Sequence, residues 1–178
     1  MDFKFNVHTA IDLLIDQGIK NGVNYSVDSL HKPLYLAQGV HMAREDEQLF
    51  KNSFFYANHH RYWGLVNQNA IDRFEGFTGS LTEKHIQQGK DLSIWNGSER
   101  LKSIELSQEI YRSLHEHQFT TFRPGSKYFG LFHCADIKTN CAKVAPFLDE
   151  MDMMKAFKEW IPHWIEAMEK DIGECLLD

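Results

Sequence analysis

The first part of the chain has the hydrophobic period of an amphipathic helix. Apolar or small residues recur every three or four positions over residues 6–21, which is the spacing of one helical face. These positions are Val7, Ile11, Leu14 and Gly18. Asn6 can cap the start of this helix, and Asn21-Gly22 can end it, because both residue types tolerate the left-handed conformation found at helix C-termini.

A second helical pattern covers residues 29–43 and is apolar over a wide arc, which predicts a buried helix. Its two stripes are Leu30, Leu34, Ala37 and His41 on one side and Leu36, Val40 and Ala43 on the other. Pro33 is expected in the first turn, where a missing backbone N–H costs little. Gly39 lies in the helix interior, where glycine costs about 1 kcal/mol relative to alanine. We therefore expect another element to approach the backbone closely at Gly39.

The next stretch contains shorter elements. Residues 44–47 are predicted to form a charged connection, residues 49–56 a short strand or a buried irregular segment, and residues 58–64 a loop. Helical spacing of Val66, Ala70, Ile71 and Phe74 predicts a short helix over 66–75, ended by Gly76.

Two local signals follow before the next long element. Ser80-Leu81-Thr82-Glu83 fits a capping box, in which side chains and backbone N–H groups at a helix start satisfy each other. A short helix to about Gln88 is expected after it. Asn96-Gly97 predicts a turn.

The last part of the chain is predicted to contain two long helices and a hairpin. The helices cover residues 99–117 and 152–176, and Pro162 is expected to kink the second one. A β-hairpin is predicted near 119–133, because Pro124-Gly125 suits a type II turn. The predicted fold is mainly α with a small β-hairpin, in the α+β class, as a compact single domain of about six helices over residues 1–178.

Composition narrows the class of protein. Hydrophobic residues make up 43% and charged residues 25%, as in a globular rather than a disordered protein. The net charge of −6 argues against a general nucleic-acid-binding role. No run approaches the roughly 20 apolar residues of a membrane helix, and residues 1–4 do not begin a secretory signal. The three cysteines are widely spaced and odd in number, which predicts a reduced, cytoplasmic protein.

One stretch of the second helix resembles the signature helix of the Panacea domain. Its residues are Leu34-Tyr35-Leu36-Ala37-Gln38-Gly39-Val40-His41-Met42-Ala43. The resemblance continues through Leu49-Phe50, Ala57, Gly64-Leu65-Val66 and Phe74. It differs from the family pattern at Pro33, where leucine is usual, and at Leu65, where proline is usual. The resemblance divides the chain into a Panacea-like helical part, residues 1–76, and a diverged or lineage-specific part, residues 77–178.

The resemblance implies a function in binding. Panacea-domain proteins are known as antitoxins and as phage-associated proteins of mobile genetic elements, and they neutralise a partner toxin by direct contact. Most members have no established enzymatic activity. The identity of the toxin varies within the family, so the resemblance does not name a partner.

Histidine and cysteine residues are the candidates for metal or covalent chemistry. The groups are His59-His60, His115 with His117, and His133-Cys134 with Cys141. They lack the paired short spacings typical of a zinc site. Neighbours such as His133 and Cys134 point to opposite faces of a strand, so they do not form a catalytic dyad there. The sequence therefore predicts no catalytic residue, no metal ligand and no cofactor.

Two groups of residues are candidates for binding a partner. Tyr35, Gln38 and His41 lie on the signature helix, where they form either a polar contact patch or, as we favour, an internal hydrogen-bond network that ties the helix to the loop at Gly64. The second group is the loop of His60, Arg61, Tyr62 and Trp63. Tryptophan, tyrosine and arginine dominate interface energies, although Trp63 could equally fill the core.

The leading hypothesis is a non-enzymatic protein-binding factor, a Panacea-like antitoxin or phage counter-defence protein. Its partner would be a toxin, a defence protein or a host protein, with no direct contact to nucleic acid or membrane, and homo-oligomers remain open. The alternative is a histidine-dependent hydrolase or transferase acting on a nucleotide-type substrate. It draws on the 10 histidines and on aromatic loops that could stack on a base.

Overall fold

The computed structural model describes residues 4–51, 54–59, 62–116 and 150–169. These residues are mostly helical, in agreement with the predicted α-rich fold. They contain five α-helices, whereas about six were expected for the whole chain. The elements are α1 (Val7–Lys20), α2 (Val27–Glu45), β1 (Phe54–His59), β2 (Tyr62–Asn67), α3 (Gln68–Arg73), α4 (Glu99–Glu116) and α5 (Glu150–Glu169). Two 3₁₀ turns, Glu83–His85 and Leu92–Trp95, lie between α3 and α4.

Helix α1 begins and ends where the sequence predicts. The side chain of Asn6 accepts a hydrogen bond from the backbone N–H of Thr9 at 3.0 Å and so caps the first turn. Gly22 follows the helix with φ +71°, a conformation that glycine adopts without strain.

Helix α2 starts two residues earlier than predicted, because Ser26 and Ser29 form a capping box at its N-terminus. The backbone N–H of Ser29 donates to Ser26 Oγ at 3.1 Å, and the backbone N–H of Ser26 donates to Ser29 Oγ at 2.8 Å. Pro33 is therefore the seventh residue of the helix, and its placement in the first turn was wrong. The missing N–H of Pro33 removes one helical hydrogen bond, and its ring is buried against the core.

Helix α2 is the centre of the molecule. It packs against α1, α4, α5 and β2, and nearly all of its residues from Leu30 to Met42 are buried. Complete burial of one leucine side chain contributes about 1.5–3 kcal/mol, and α2 buries Leu30, Leu34 and Leu36 in this way. The buried polar side chains of α2, which are His31, Gln38 and His41, form hydrogen bonds with other parts of the protein.

The strands form a two-stranded antiparallel hairpin in which Phe54 pairs with Asn67 and His59 pairs with Tyr62. The predicted loop over 58–64 and the predicted helix start at residue 66 were therefore wrong. Helix α3 begins only after Asn67, whose side chain accepts a hydrogen bond from the backbone N–H of Ala70 at 3.1 Å. The hairpin predicted near 119–133 lies outside the described residues.

The segment between α3 and α4 folds differently from its prediction at one point. The capping interaction is made by Thr82 and His85 rather than by Ser80 and Glu83: the backbone N–H of Thr82 donates to His85 Nδ1 at 2.9 Å. Only a single 3₁₀ turn follows, not a helix to residue 88. Ser80 instead forms a β-bridge with Ser26 beside the N-terminus of α2. The turn predicted at residues 96–97 is confirmed, with Gly97 at φ +75°.

Helices α4 and α5 are confirmed where they are described. Helix α4 begins at Glu99, as predicted, and is described as far as Glu116. Helix α5 is described from Glu150 to Glu169 and contains Pro162. The close approach expected at Gly39 is also confirmed, because the ring of Phe157 from α5 lies against it. No helix in the described ranges is long and apolar enough to cross a membrane.

Candidate functional site

The structure places the three candidate residues of the signature helix inside the protein. Tyr35 and Gln38 are 0% exposed and His41 is 1% exposed. Tyr35 packs edge-to-face against Phe54 of β1 and Phe157 of α5, with ring centroids 5.4 and 5.2 Å apart. These side chains contact the protein's own core, so their internal role is the one that the geometry supports.

Gln38 makes two hydrogen bonds with the backbone of a single residue. Its Nε2 donates to the carbonyl of Phe50 at 2.9 Å, and its Oε1 accepts from the backbone N–H of Phe50 at 3.1 Å. The amide thereby satisfies both polar groups of Phe50, which would otherwise be buried without partners. The network thus reaches the chain before β1, whereas the sequence analysis expected it to reach the Gly64 loop.

His31 performs the equivalent task where β2 ends, on the other strand at the base of the hairpin. It is 2% exposed, and its Nδ1 accepts a hydrogen bond from the backbone N–H of Asn67 at 3.1 Å. Burial lowers the pKa of His31 from 6.5 to about 4, so the ring is neutral at pH 7 and Nδ1 can accept. Sequence reasoning missed His31, although its spacing of seven residues from Gln38 places both on one helix face.

Together, Gln38 and His31 attach the base of the hairpin to one helix, Gln38 before β1 and His31 at the end of β2. Phe50 lies four residues before β1, and Asn67 is the last residue of β2. We call these two attachments the hairpin clamp. Because Phe54 also packs against Tyr35, the base of the hairpin is fixed by side chains from three successive turns of α2.

The far end of the hairpin carries the second group of candidate residues. In the β-ladder, Asn58 pairs with Trp63 and His59 pairs with Tyr62. His60 and Arg61 connect the two strands and lie outside the described residues. Of the residues predicted to bind a partner, Tyr62 and Trp63 therefore lie in the strand at the end of the ladder opposite the hairpin clamp.

A second polar cluster surrounds His41 and has the residue types of a hydrolytic triad. His41 Nδ1 lies 3.0 Å from Ser103 Oγ, and His41 Nε2 lies 3.5 Å from Glu47 Oε1. Ser103 is fully buried, and its hydroxyl donates to the carbonyl of Glu99 at 2.9 Å. A substrate cannot reach this hydroxyl in the folded protein, so the geometry does not favour a nucleophilic role.

A buried ion-pair cluster around Asp12 connects α1 to later parts of the chain. Asp12 is 0% exposed, and its carboxylate accepts hydrogen bonds from Arg73 Nη2, from the backbone N–H of Gln87 at 3.2 Å and from Lys90 at 3.5 Å. Arg73 also donates to the carbonyl of His85 at 2.6 Å. Sequence reasoning missed this cluster, because Asp12 and Arg73 are 61 residues apart. All charges are paired, as a buried structural site requires.

Among the described residues, open clefts lie at opposite ends of α1. The larger has a volume of about 380 Å³ and the smaller about 290 Å³. The larger is lined by Gln17, Asn21, Glu105, Gln108, Glu109 and Arg112. The amide of Gln108 is already bonded to Asn21 at 2.9 Å and to Tyr25 at 3.0 Å, so this cleft is crossed by a structural link between α1 and α4.

The part of the chain that the structure describes contains no cluster of three or more histidine, cysteine, aspartate or glutamate side chains suited to a metal ion. His60, His117, His133, Cys134 and Cys141 lie outside that part. Comparison of the chain with protein-family models, with curated proteins and with solved structures finds no match. The resemblance to the Panacea domain therefore depends on the quoted residues.

Proposed function

We propose that this protein is a non-enzymatic binding factor that recognises a protein partner with the hairpin of β1 and β2. The hairpin clamp is the observation that carries the proposal. A two-stranded hairpin is marginally stable by itself in water, so fixing both strands at its base is what makes it a usable recognition element. Loops and hairpins presented by a rigid scaffold are common binding elements.

The composition of the hairpin end supports the same proposal. Residues 58–63 read Asn-His-His-Arg-Tyr-Trp, and arginine, tyrosine and tryptophan are the residue types most enriched among interface hot spots. Fixing the base of such a segment before binding reduces the conformational entropy lost on association. The buried hydrogen bonds of Gln38 and His31 at the base of the hairpin therefore support recognition of a partner by residues 58–63 at its other end.

The resemblance to the Panacea domain suggests which kind of partner the protein binds and to what effect. We infer an antitoxin-like or phage counter-defence role in the reducing cytoplasm, in which the protein neutralises its partner by stoichiometric contact. The net charge of −6 favours a partner with a basic surface, because opposite charges accelerate encounter.

Co-expression with the products of neighbouring genes tests the proposal. A partner that is toxic alone should lose its toxicity and co-purify with this protein. The charge reversal Arg61→Glu should abolish both effects, whereas the matched reversal Lys84→Glu, at an exposed position of the first 3₁₀ turn, should preserve them. If both variants neutralise the partner equally well, the hairpin is not the recognition element.

A second arm addresses enzymatic turnover. Neutralisation by contact requires about one molecule of this protein per molecule of partner, whereas an enzyme acts at far lower ratios. Titration of purified partner activity should therefore end at a ratio near one to one. Complete neutralisation at a small fraction of that ratio would contradict the binding proposal and favour the hydrolase or transferase alternative.

A further inference from the structure

His41 Nε2 and Glu47 Oε1 face each other across 3.5 Å. His41 is 1% exposed, and its Nε2 makes no hydrogen bond. Ser103 Oγ lies 2.9 Å from the carbonyl of Glu99, and while its hydroxyl donates there, the proton in the His41–Ser103 contact comes from His41 Nδ1. In this tautomer of neutral His41, the lone pair of Nε2 faces the carboxylate of Glu47. A proton added to Nε2 would allow it to donate a hydrogen bond to that carboxylate.

Glu47 has a second cation within reach. Arg100 of α4 places Nη2 3.9 Å from the same carboxylate oxygen. Other charged groups act on His41 from α2 itself and from α4. These are Glu45 on α2 and Glu99 on α4, and Glu99 is itself paired with Arg44 at 3.3 Å. Glu47 is thus the carboxylate in direct contact, and Arg100 is its permanently charged partner.

Glu47 lies in the short segment that leads from α2 to the hairpin. Phe50, three residues later, is the residue that Gln38 fixes in the hairpin clamp. The same segment contacts α5 through Asp46 with Lys158 and through Gln48 with Glu150. A change in how Glu47 is bound therefore acts at the base of the hairpin.

We propose that His41 and Glu47 form a proton-dependent latch at the base of the hairpin. Protonated His41 donates from Nε2 to Glu47 and from Nδ1 to Ser103, which fixes residues 46–50 against α2. When His41 is neutral, Glu47 interacts with Arg100 and receives no hydrogen bond from His41. Only the consequence for partner recognition rests on the proposed function of the hairpin.

The electrostatic balance determines when the latch closes. Burial lowers the pKa of His41, and the positive charge of Arg100 adds to this effect, whereas contact with Glu47 and the charge of Glu45 oppose it. The latch is therefore open at neutral pH and closes as the solution becomes acidic.

Nitrogen-15 NMR of the imidazole rings in the free, full-length protein tests the latch. At neutral pH, His41 should be the Nδ1–H tautomer, which is the less common form in neutral histidine. On acidification, both nitrogens should become protonated, with coincident shifts of the backbone amides of residues 46–50. The variant Glu47→Gln should lower the pKa of His41 more than Glu45→Gln does, although both remove one exposed negative charge from the same region.

An Nε2–H tautomer at neutral pH would overturn the latch, and so would equal pKa changes in the two variants. Glu47 and Glu45 are both exposed, so neither substitution removes core packing. Because the measurement uses the free protein, it distinguishes failure of the latch from failure of partner recognition by the hairpin.

Discussion

Gly39 of α2 lies directly against the aromatic ring of Phe157 of α5. A Cβ atom at residue 39 would fall well inside 3.0 Å of the Cδ2, Cε2 and Cζ atoms of that ring, a distance that real Cβ atoms do not show. The ring is fully buried and also packs against Tyr35, so it has little room to move. The absence of a side chain at Gly39 is thus what allows α5 to dock on the central helix.

The contact predicts that Gly39→Ala destabilises the protein. Overpacking costs about 1–3 kcal/mol, and the better helix propensity of alanine returns up to about 1 kcal/mol, so we expect a net loss of about 1–2 kcal/mol in urea unfolding. In the double variant with Phe157→Leu, the loss should be smaller than the sum of the two single losses, because the smaller side chain relieves the clash. An additive result would show that the ring is not the obstacle.

The hairpin clamp predicts a specific effect of Gln38→Leu. The substitution leaves the backbone N–H and carbonyl of Phe50 buried without partners, at a cost of about 1–3 kcal/mol for each group. Urea unfolding should show a loss of at least about 2 kcal/mol, and hydrogen exchange at the amide of Phe50 should accelerate. Gln88→Leu, at an exposed position, is the control and should change stability by less than about 0.5 kcal/mol.

His31 predicts how stability depends on pH. Burial lowers the pKa of His31 from 6.5 to about 4, so the unfolded chain binds a proton more readily than the folded protein between these values. The stability that neutral His31 provides is fully present above pH 6.5 and is lost as the pH falls toward 4, by up to about 3 kcal/mol.

His31→Asn isolates this contribution, since the asparagine Oδ1 can still accept from Asn67 but does not titrate. The free energy of unfolding should fall less steeply between pH 7 and pH 4 in the variant than in the native protein. Burial also lowers the pKa values of His8 and His41. These two residues therefore reduce stability at acidic pH equally in the native protein and in the His31→Asn variant. Parallel pH curves for the two proteins would contradict the role assigned to His31.

The Asp12 cluster predicts a strong contrast between two aspartates of α1. Asp12→Asn leaves the charges of Arg73 and Lys90 without their buried partner, and breaking such a pair costs about 3–5 kcal/mol. Asp16→Asn breaks only the pair with Lys20, whose Nζ is at 2.6 Å on the protein surface, and should cost less than about 1 kcal/mol. Thermal unfolding of both variants measures the difference, and similar losses would show that the Asp12 cluster is not important for stability.

The long helices could be predicted because their signals are local. The apolar period of α1 and its cap at Asn6 are visible within one stretch of 16 residues, and the structure reproduces them. Gly39 could be interpreted for the same reason, since glycine inside a strongly apolar helix indicates close packing. The sequence did not identify Phe157 as the neighbour, because that contact joins residues more than 100 positions apart.

The hairpin shows where local signals fail. Val66 and Ala70 have helical spacing, but Val66 belongs to β2 because its strand pairs with β1 and packs on α2. Short strands depend on such neighbours more than on intrinsic preference. The start of α2 was misplaced for a related reason: the Ser26–Ser29 box, rather than Pro33, defines the first turn.

The sequence by itself determined the mainly helical fold, the limits of α1, the burial of α2 and the residue types at the end of the hairpin. These features follow from hydrophobic period, capping residues and composition, all of which are properties of neighbouring positions. Only the tertiary structure decided that Gln38 and His31 bind the two sides of the hairpin base, that Asp12 pairs with Arg73, and that His41 faces Glu47. These residues meet because packing around α2 brings distant segments of the chain together. Each buried polar group then forms hydrogen bonds with the groups that packing places next to it.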